Sequence, residues 1–199
     1  MQKKLLSLAI AGALAIPGAA MADVQSKSGG DVTIYGKFHA SWDYVDAGTS
    51  NSDDSDDNTA VFRNSRLGFK GSEDLGNGLK GIWQVETHLD TGDDGVHLRN
   101  TYVGLQSDNF GKIFFGKHDT PYKTATAKLD IFSDTIADYN NIIGYHDSGS
   151  NFNEREPQLV TYETPNFNGF KAQIARESYQ YDEDNDATYD EATSTWNAI

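Results

Sequence analysis

The stretch from residue 64 to residue 87, "NSRLGFKGSEDLGNGLKGIWQVET", predicts two β-strands joined by a short turn. Leu67 and Phe69 alternate with polar residues before the turn, and Trp83 and Val85 do so after it. This period of two residues is typical of strands whose two faces meet different surroundings. The non-apolar face carries Arg66, Lys70, Lys80, Gln84 and Glu86. The sequence therefore predicts a hairpin with one apolar face and one charged face.

The glycines between the two strands formally match a dinucleotide-binding fingerprint, "GNGLKG" at residues 76–81. That fingerprint requires a helix after the glycines, because the helix N-terminus holds the pyrophosphate. Here the alternating segment "KGIWQVET" follows, which is typical of a strand. We therefore expect these glycines to form a turn, where a positive φ is accessible to them.

The same alternation recurs along the chain. In "VTIYGKFHASWDY", residues 32–44, it persists for 13 residues, whereas a globular strand averages about 5–6 residues and a tilted strand that crosses a bilayer needs about 9–11. An eighth strand is expected to begin at residues 194–199. The other predicted strands are residues 61–71, 79–89, 98–106, 112–116, 158–164 and 170–181.

Short turns alternate in chain order with longer, acidic connections. Consecutive antiparallel strands place alternate connections at opposite ends, so one end is expected to carry short turns and the other long loops, as in outer-membrane barrels. The longest connection, residues 117–154, is about 38 residues. A connection of that length usually has a function, such as folding into a barrel interior. Residues 124–139, "TATAKLDIFSDTIADY", are expected to include a short helix.

The N-terminus has the pattern of a secretory signal peptide at residues 1–22. A basic start, an apolar run and the cleavage pattern Ala20-Met21-Ala22 precede Asp23. The mature domain is then expected at residues 23–199. Its charge changes from −14 to −16, because Lys3 and Lys4 are removed without any acid. Such an acidic chain repels nucleic acid, and the absence of cysteine excludes a disulfide scaffold.

No catalytic or metal-binding motif is found. The five histidines lack metal-ligand spacing, and neither HExxH nor GxSxG occurs. The acidic run from Asp182 resembles a calcium loop but has Ala187 where that loop needs glycine and Thr193 where it needs glutamate. We expect no cofactor, no metal site and no enzymatic activity.

Four stretches together resemble the N-terminal half of the Gram-negative general diffusion porins, which are trimeric 16-stranded outer-membrane channels. The stretches are "VTIYGKFHASW", "SRLGFKGSEDLGNGLKGIWQVE", "RNTYVGLQSDNFGKIFFGKHDTPY" and "PQLVTYETPNFNGFKAQIA". The resemblance implies an all-β fold, a transmembrane antiparallel β-barrel of which this chain covers about the first 7–8 strands. Because such porins are much longer, the chain is interpreted as the truncated N-terminal part of that barrel.

The resemblance also implies a pore constriction, in which an inward-folded third long loop faces a ladder of basic side chains. By motif position, the basic wall corresponds to Lys37, Arg66, Arg99 and Arg155. Candidates for the acidic side of the loop are Asp130, Asp134 and Asp138, although the usual loop-tip motif of the family is missing.

The implied function is passive diffusion of ions and small hydrophilic solutes through a water-filled channel. The implied location is the outer membrane, and the implied partners are two further copies in a homotrimer, outer-membrane lipid and lipopolysaccharide. Two alternatives remain open from the residues alone. One is a secreted soluble β-sandwich, such as a carbohydrate-binding module, and the other is an outer-membrane barrel enzyme.

Overall fold

The structure is a computed structural model that describes residues 22–25, 30–45, 57–90, 92, 95–144, 152–178 and 196–198. The expected signal peptide up to residue 21 lies outside the described residues, and so do most of the acidic run at 53–57 and all of the acidic run at 182–191. In the described part of the chain, no helix has the length and apolar character needed to span a membrane.

Antiparallel strands make up most of the described residues. The strands are β1 (Ala22–Gln25), β2 (Asp31–Lys37), β3 (Ala40–Val45), β4 (Asp57–Phe62), β5 (Ser65–Gly76), β6 (Leu79–Leu89), β7 (His97–Leu98), β8 (Thr101–Ser107), β9 (Gly111–Asp119), β10 (Arg155–Glu163), β11 (Gln173–Glu177) and β12 (Trp196–Ala198). One short α-helix, α1 (Pro121–Thr126), and two 3-10 turns, Ala127–Leu129 and Tyr139–Asn141, lie between β9 and β10.

Most strands form one up-and-down sheet in the order β1-β2-β5-β6-β8-β9-β10-β11-β12, with β7 also paired to β6. All its neighbours are antiparallel. Strands β5 and β6 have 12 and 11 residues, which is the length that a bilayer crossing requires. The predicted antiparallel architecture is confirmed, and the sheet is not closed into a barrel within the described residues.

The two faces of the sheet differ as the alternation predicted. Val103 is 61% exposed, and Ile113 and Phe115 on the next strand are also exposed. The charged or polar residues Lys70, Gln84 and Tyr102 follow one another on the opposite face in neighbouring strands. These large apolar side chains form an exposed apolar row, and apolar patches of this kind are rare on surfaces that face only water.

A β-bulge interrupts both the first and the second predicted strand. The first is divided into β2 and β3, and the second into β4 and β5. Lys37 lies opposite Arg66 in the β2–β5 pair, but Ala40 lies opposite Phe62 in the β3–β4 pair. One extra residue therefore sits on the β4–β5 side, where Asn64 has a left-handed φ of 49°. The amide of His39 donates to Oγ of Ser65 over 2.9 Å, and that hydroxyl donates back to the carbonyl of His39. These bonds join the two sheets across the bulge.

Several element boundaries differ from the prediction. Strand β8 begins later, at Thr101, and β11 is shorter, at Gln173–Glu177. Strand β9 continues to Asp119, and β10 begins earlier, at Arg155. Strand β5 continues to Gly76, so only residues 77 and 78 remain in the turn before β6. Helix α1 begins at Pro121, earlier than expected. Proline is favoured in the first helical turn, and Oγ1 of Thr120 accepts a hydrogen bond from the amide of Lys123 as an N-cap.

Candidate functional site

The long segment between β9 and β10 reaches across the charged face of the sheet to β2. Oδ2 of Asp134, in this segment, lies 2.5 Å from Nζ of Lys37 and 3.7 Å from Nη2 of Arg66. Strands β5, β6 and β8 separate β2 from β9 in the sheet, so the segment must pass over them. Asp134 is only 6% exposed, and a buried carboxylate of this kind requires the cations that surround it.

The backbone of Asp134 is held in a conformation that suits this contact. Its φ is 63°, in the left-handed region that aspartate tolerates better than most residues. The Asp134 amide donates to Oδ2 of Asp138 over 2.8 Å. Asp138 also accepts from the amide of Asn140 over 2.9 Å and so caps the 3-10 turn that follows.

The three acidic candidates therefore have different surroundings. Asp134 contacts the basic wall. Asp130 accepts hydrogen bonds from the backbone amides of Phe132 and Tyr139, at 2.9 and 3.4 Å. Asp130 and Asp138 thus both stabilise the fold of the segment itself, and Asp134 is the acidic candidate that the structure brings into contact with Lys37 and Arg66.

Arg99 is paired with a carboxylate of the wall rather than with the loop. Its Nε lies 2.6 Å from Oε1 of Glu86, and the hydroxyl of Tyr35 donates to Oε2 of the same carboxylate over 2.9 Å. Gly68 lies between Tyr35 and Glu86 in the register of the sheet. Because Gly68 has no Cβ, the ring of Tyr35 can lie over it. Glu86 is 8% exposed.

Arg155 is held at the start of β10 by a third carboxylate. Its Nη2 lies 2.9 Å from Oδ1 of Asp119, and its Nε donates to Oδ1 of Asn100 over 2.7 Å. The side-chain amide of Asn100 in turn donates to Oδ2 of Asp119 over 2.8 Å. Arg155 also interacts electrostatically with Arg99 and Arg66, so these arginines belong to one cluster.

The charges of this cluster do not cancel completely. Arg99 pairs with Glu86 and Arg155 pairs with Asp119, one cation to one carboxylate in each case. Lys37 and Arg66, however, share the single carboxylate of Asp134. Among these described residues, the excess positive charge therefore lies at Lys37 and Arg66.

Asn153 ties the long segment together near its end. Asn153 is 2% exposed. Its Nδ2 donates to Oδ1 of Asn140 over 2.6 Å, its Oδ1 accepts from the hydroxyl of Tyr139, and its carbonyl accepts from Nζ of Lys123. Nearby, the amide of Thr120 donates to the carbonyl of Glu154 over 3.0 Å. The two ends of the segment are thus joined at its base.

The Lys123 ammonium lies in this base, outside the strands. Burial lowers the pKa of Lys123 below the ordinary value of a lysine. The negative charge of Asp119 raises that pKa, while the positive charges of Arg155 and Arg99 lower it further. The charged form of Lys123 is therefore disfavoured at this position.

Sequence reasoning missed two members of the cluster. Glu86 was placed on the correct face of its strand but was not assigned to the site, and Asp119 was treated as part of the loop. The signal for Glu86 was present, because it lies two residues from Gln84 on a face that also carries Arg66. The signal for Asp119 was absent, since its partner Arg155 is 36 residues away along the chain.

Comparisons with known proteins agree with this architecture. A family model described as Gram-negative porin matches residues 7–198. An outer membrane porin protein of Bordetella pertussis is 31% identical over 206 residues, which cover 94% of this chain and 51% of the relative. Outer membrane porin protein 32 of Delftia acidovorans is 33% identical, with 92% and 50% covered. The major outer membrane protein P.IB of Neisseria meningitidis is 34% identical, with 87% and 49% covered.

A solved structure shows the same fold. The anion-selective porin from Comamonas acidovorans superimposes with a TM-score of 0.63 at 25% identity, and the match covers 74% of this chain and 46% of that one. The chain thus spans about half the length of the curated relatives it matches.

Proposed function

Because the chain belongs to the Gram-negative porin family, we propose that the complete protein is a water-filled outer-membrane channel for ions and small hydrophilic solutes. Solutes cross it by passive diffusion, and the cluster of charges described above catalyses no reaction. The observation that carries this proposal is the contact between Asp134 and Lys37, which are 97 residues apart along the chain. It supports a long loop that lies across the water-facing side of the sheet.

In this proposal, the segment between β9 and β10 narrows the channel. Its tip, around Asp134, meets the wall at Lys37 and Arg66, while Asn153 and Thr120 support its base. Solutes too wide for the remaining opening are excluded. Charges in the partly buried wall act on passing ions more strongly than charges in bulk water would, because fewer water molecules screen them.

The unequal pairing at the loop tip supports a local preference for anions. Lys37 and Arg66 share one carboxylate, so a passing anion meets a net positive charge there. Arg99 and Arg155 belong to the same cluster, but each is paired with a carboxylate. They therefore contribute more to the shape of the opening and to a transverse field that orients dipolar solutes. The superimposed Comamonas acidovorans porin is described as anion-selective, which is the same preference as the one proposed for this protein.

The proposed setting is a homotrimer in the outer membrane, exported by the signal peptide and surrounded by lipid and lipopolysaccharide. The exposed apolar face supports this setting. Phe38, Trp42 and Tyr44 are each more than half exposed, and aromatic side chains are typical of the belts where a barrel meets the lipid headgroups. A soluble β-sandwich would bury such a face against a second sheet, so the carbohydrate-binding alternative is disfavoured.

The test is single-channel recording with the complete protein in planar bilayers. We expect stepwise conductance increases in potassium chloride, with triplets of steps if the channel is a trimer. A variant that lacks residues 131–137 should conduct more at each step, because the loop tip would no longer narrow the opening. A folded, heat-modifiable protein that gives no steps would reject the channel. Unchanged conductance of the shortened variant would reject the constriction alone.

A further inference from the structure

A groove of 340 Å³ lies on the charged face of the sheet, away from the contact between the long segment and Arg66. Its lining includes Lys70 on β5, Tyr102 and Gln106 on β8, and Lys112 on β9. Lys70 follows Arg66 by four residues on the same strand, which is about 13 Å closer to the short turn between β5 and β6. The groove is therefore a separate place on the same face.

Two ammonium groups of this groove are held over aromatic rings. Nζ of Lys70 lies 5.4 Å from the centroid of the Tyr35 ring, and Nζ of Lys112 lies 5.2 Å from the centroid of the Phe114 ring. The face of an aromatic ring attracts a cation but carries no net charge. Both ammonium groups are thus held in place while their positive charge is kept.

The carboxylates near the groove neutralise these lysines only in part. Lys70 forms no ion pair in the part of the chain that the structure describes. Nζ of Lys112 lies 3.3 Å from Oε2 of Glu163, but Nζ of Lys171 lies 3.1 Å from Oε1 of the same carboxylate. Asp31 also lines the groove and is exposed. Three cations against two carboxylates leave a net positive charge.

Two neutral hydrogen-bond donors line the same groove. The hydroxyl of Tyr102 and the side-chain amide of Gln106 form no hydrogen bond with any described residue. The ring of Tyr102 is fixed by packing against Phe114, with centroids 4.7 Å apart. A phenol hydroxyl and a carboxamide can each donate to the oxygen of an anion. The groove therefore combines excess positive charge with donors that have no protein acceptor.

We propose that this groove is a second anion-binding subsite of the channel, and that it takes small oxyanions with two negative charges. This inference rests on the proposed channel function. The oxygens of such an anion accept hydrogen bonds from the hydroxyl and the amide as well as from the ammonium groups. Chloride uses the same donors less well, because it is a single atom with one charge. Lys70 is exposed, so water keeps the binding weak, as release from a channel requires.

The test measures how inorganic phosphate reduces the chloride current of the complete protein in planar bilayers at pH 8, where phosphate is mainly the dianion. We expect the current to fall with increasing phosphate as the groove is occupied. Lys70→Gln should raise the concentration for half-reduction about three- to tenfold. Tyr102→Phe keeps the ring and removes one donor, so it should raise that concentration about two- to fivefold. Lys70→Arg keeps the charge and should resemble the wild type.

The matched control is Lys80→Gln. Lys80 is an exposed lysine of the neighbouring strand, opposite Asp74, and it does not line the groove. Its removal changes the net charge of the channel as much as Lys70→Gln does, but it should change the half-reduction concentration by less than about twofold. The inference is overturned if phosphate leaves the wild-type current unchanged. It is also overturned if Lys70→Gln responds to phosphate as the wild type does, or no more weakly than Lys80→Gln.

Arg66→Gln distinguishes failure of the subsite from failure of the channel. If the wild type gives no conductance steps, the proposed function is rejected, and the subsite is rejected with it. If steps appear and Arg66→Gln weakens the effect of phosphate while Lys70→Gln does not, phosphate binds at the loop tip. The channel then stands, and the groove is rejected as a second subsite.

Discussion

The hydroxyl of Tyr35 donates a 2.9 Å hydrogen bond to Oε2 of Glu86 across Gly68, which is the lateral neighbour of both residues in the sheet. A Cβ on Gly68 would lie 2.3 Å from Cζ of Tyr35, well inside van der Waals contact. The glycine therefore allows the ring to lie flat against the sheet. The position of Glu86 therefore depends on the absence of a side chain at Gly68. The position of Arg99, which pairs with Glu86, depends on it in turn.

Gly68→Ala should displace the ring of Tyr35 and break its bond to Glu86. We expect a loss of about 1–3 kcal/mol of folding free energy, because an overpacked side chain and an unpaired carboxylate both cost energy. The measurement is the temperature at which the folded, heat-modifiable form disappears on gels. Gly81→Ala is the matched control, since a Cβ there would meet only ordinary contacts at 3.8 Å and beyond.

The explanation requires the ring to cause the effect. In a Tyr35→Ala background, Gly68→Ala should therefore cost much less than in the wild type. Equal costs in the two backgrounds would show that the backbone, rather than Tyr35, is what Gly68 accommodates.

Arg99→Gln should affect stability more than ion selectivity. The pair with Glu86 is largely buried, with side chains 15% and 10% exposed, and its removal leaves a buried carboxylate without its cation. We expect a loss of about 1–3 kcal/mol, less than for a dry interior, because the pair would line water in the proposed channel. Arg66→Gln is the contrasting variant, with a larger change in reversal potential and a smaller change in melting temperature. Glu86→Gln combined with Arg99→Gln should restore part of the stability.

Asp134→Asn should increase the preference for anions. Asparagine keeps the size of the side chain and tolerates the φ of 63°, but it no longer neutralises Lys37 and Arg66. We expect the chloride-to-potassium permeability ratio to rise about two- to fourfold. Asp130→Asn is the control, since its carboxylate accepts hydrogen bonds from loop amides rather than contacting the wall. Equal shifts in the two variants would argue against a specific contact of Asp134 with the wall.

The strands could be predicted from the sequence because each has one apolar and one polar face, and successive side chains of a strand point to opposite faces. Strand β6 was predicted with its observed bounds, Leu79–Leu89. The bulge at Asn64 was not predicted, because one extra residue leaves the alternation of β2 and β3 unbroken and changes only the partner strand. The register between strands could not be predicted from the sequence either, and only that register places His88 beside Arg66.

The roles of the acidic residues could not be distinguished from the sequence either. Asp130, Asp134 and Asp138 recur every four residues, and nothing in that spacing distinguishes the residue that contacts the wall from those that hold the loop backbone. The distinction arises from the left-handed backbone at Asp134 and from the hydrogen bond between its amide and Asp138. Both depend on the tertiary path of the loop.

The base of the loop should become more stable at alkaline pH. The pKa of Lys123 is lowered in the folded loop, so between that pKa and the ordinary lysine value the opened loop binds more protons than the closed one. Stability therefore rises with pH through this window. We expect slower cleavage of the loop by an alkali-tolerant protease as the pH increases from 8 to 10. Lys123→Gln, which can still donate to the Asn153 carbonyl, should lose this dependence. If cleavage of Lys123→Gln depends on pH as it does in the wild type, groups other than Lys123 cause the dependence.

Asn153→Ala should loosen the loop without unfolding the sheet. The substitution removes the side-chain bonds from Asn153 to Asn140 and to Tyr139, and it leaves their polar atoms near a cavity in a buried site. We expect more frequent closures and higher open-channel noise in single-channel records, because the constriction would sample several positions. The melting temperature of the folded form should change little, since the strand ladder β9–β10 remains intact.

Asn109→Ala is the matched control, because Asn109 is exposed in the short turn between β8 and β9, at the opposite end of β9 from the loop. It should leave both the noise and the melting temperature unchanged. If single-channel records of Asn153→Ala show no more noise than those of the wild type, other hydrogen bonds hold the loop. These are the backbone bond from Thr120 to Glu154 and the bond from the Thr120 hydroxyl to the Phe152 carbonyl. Thr120→Val should then produce the noise, because it removes the 2.6 Å hydroxyl bond while keeping the shape of the side chain.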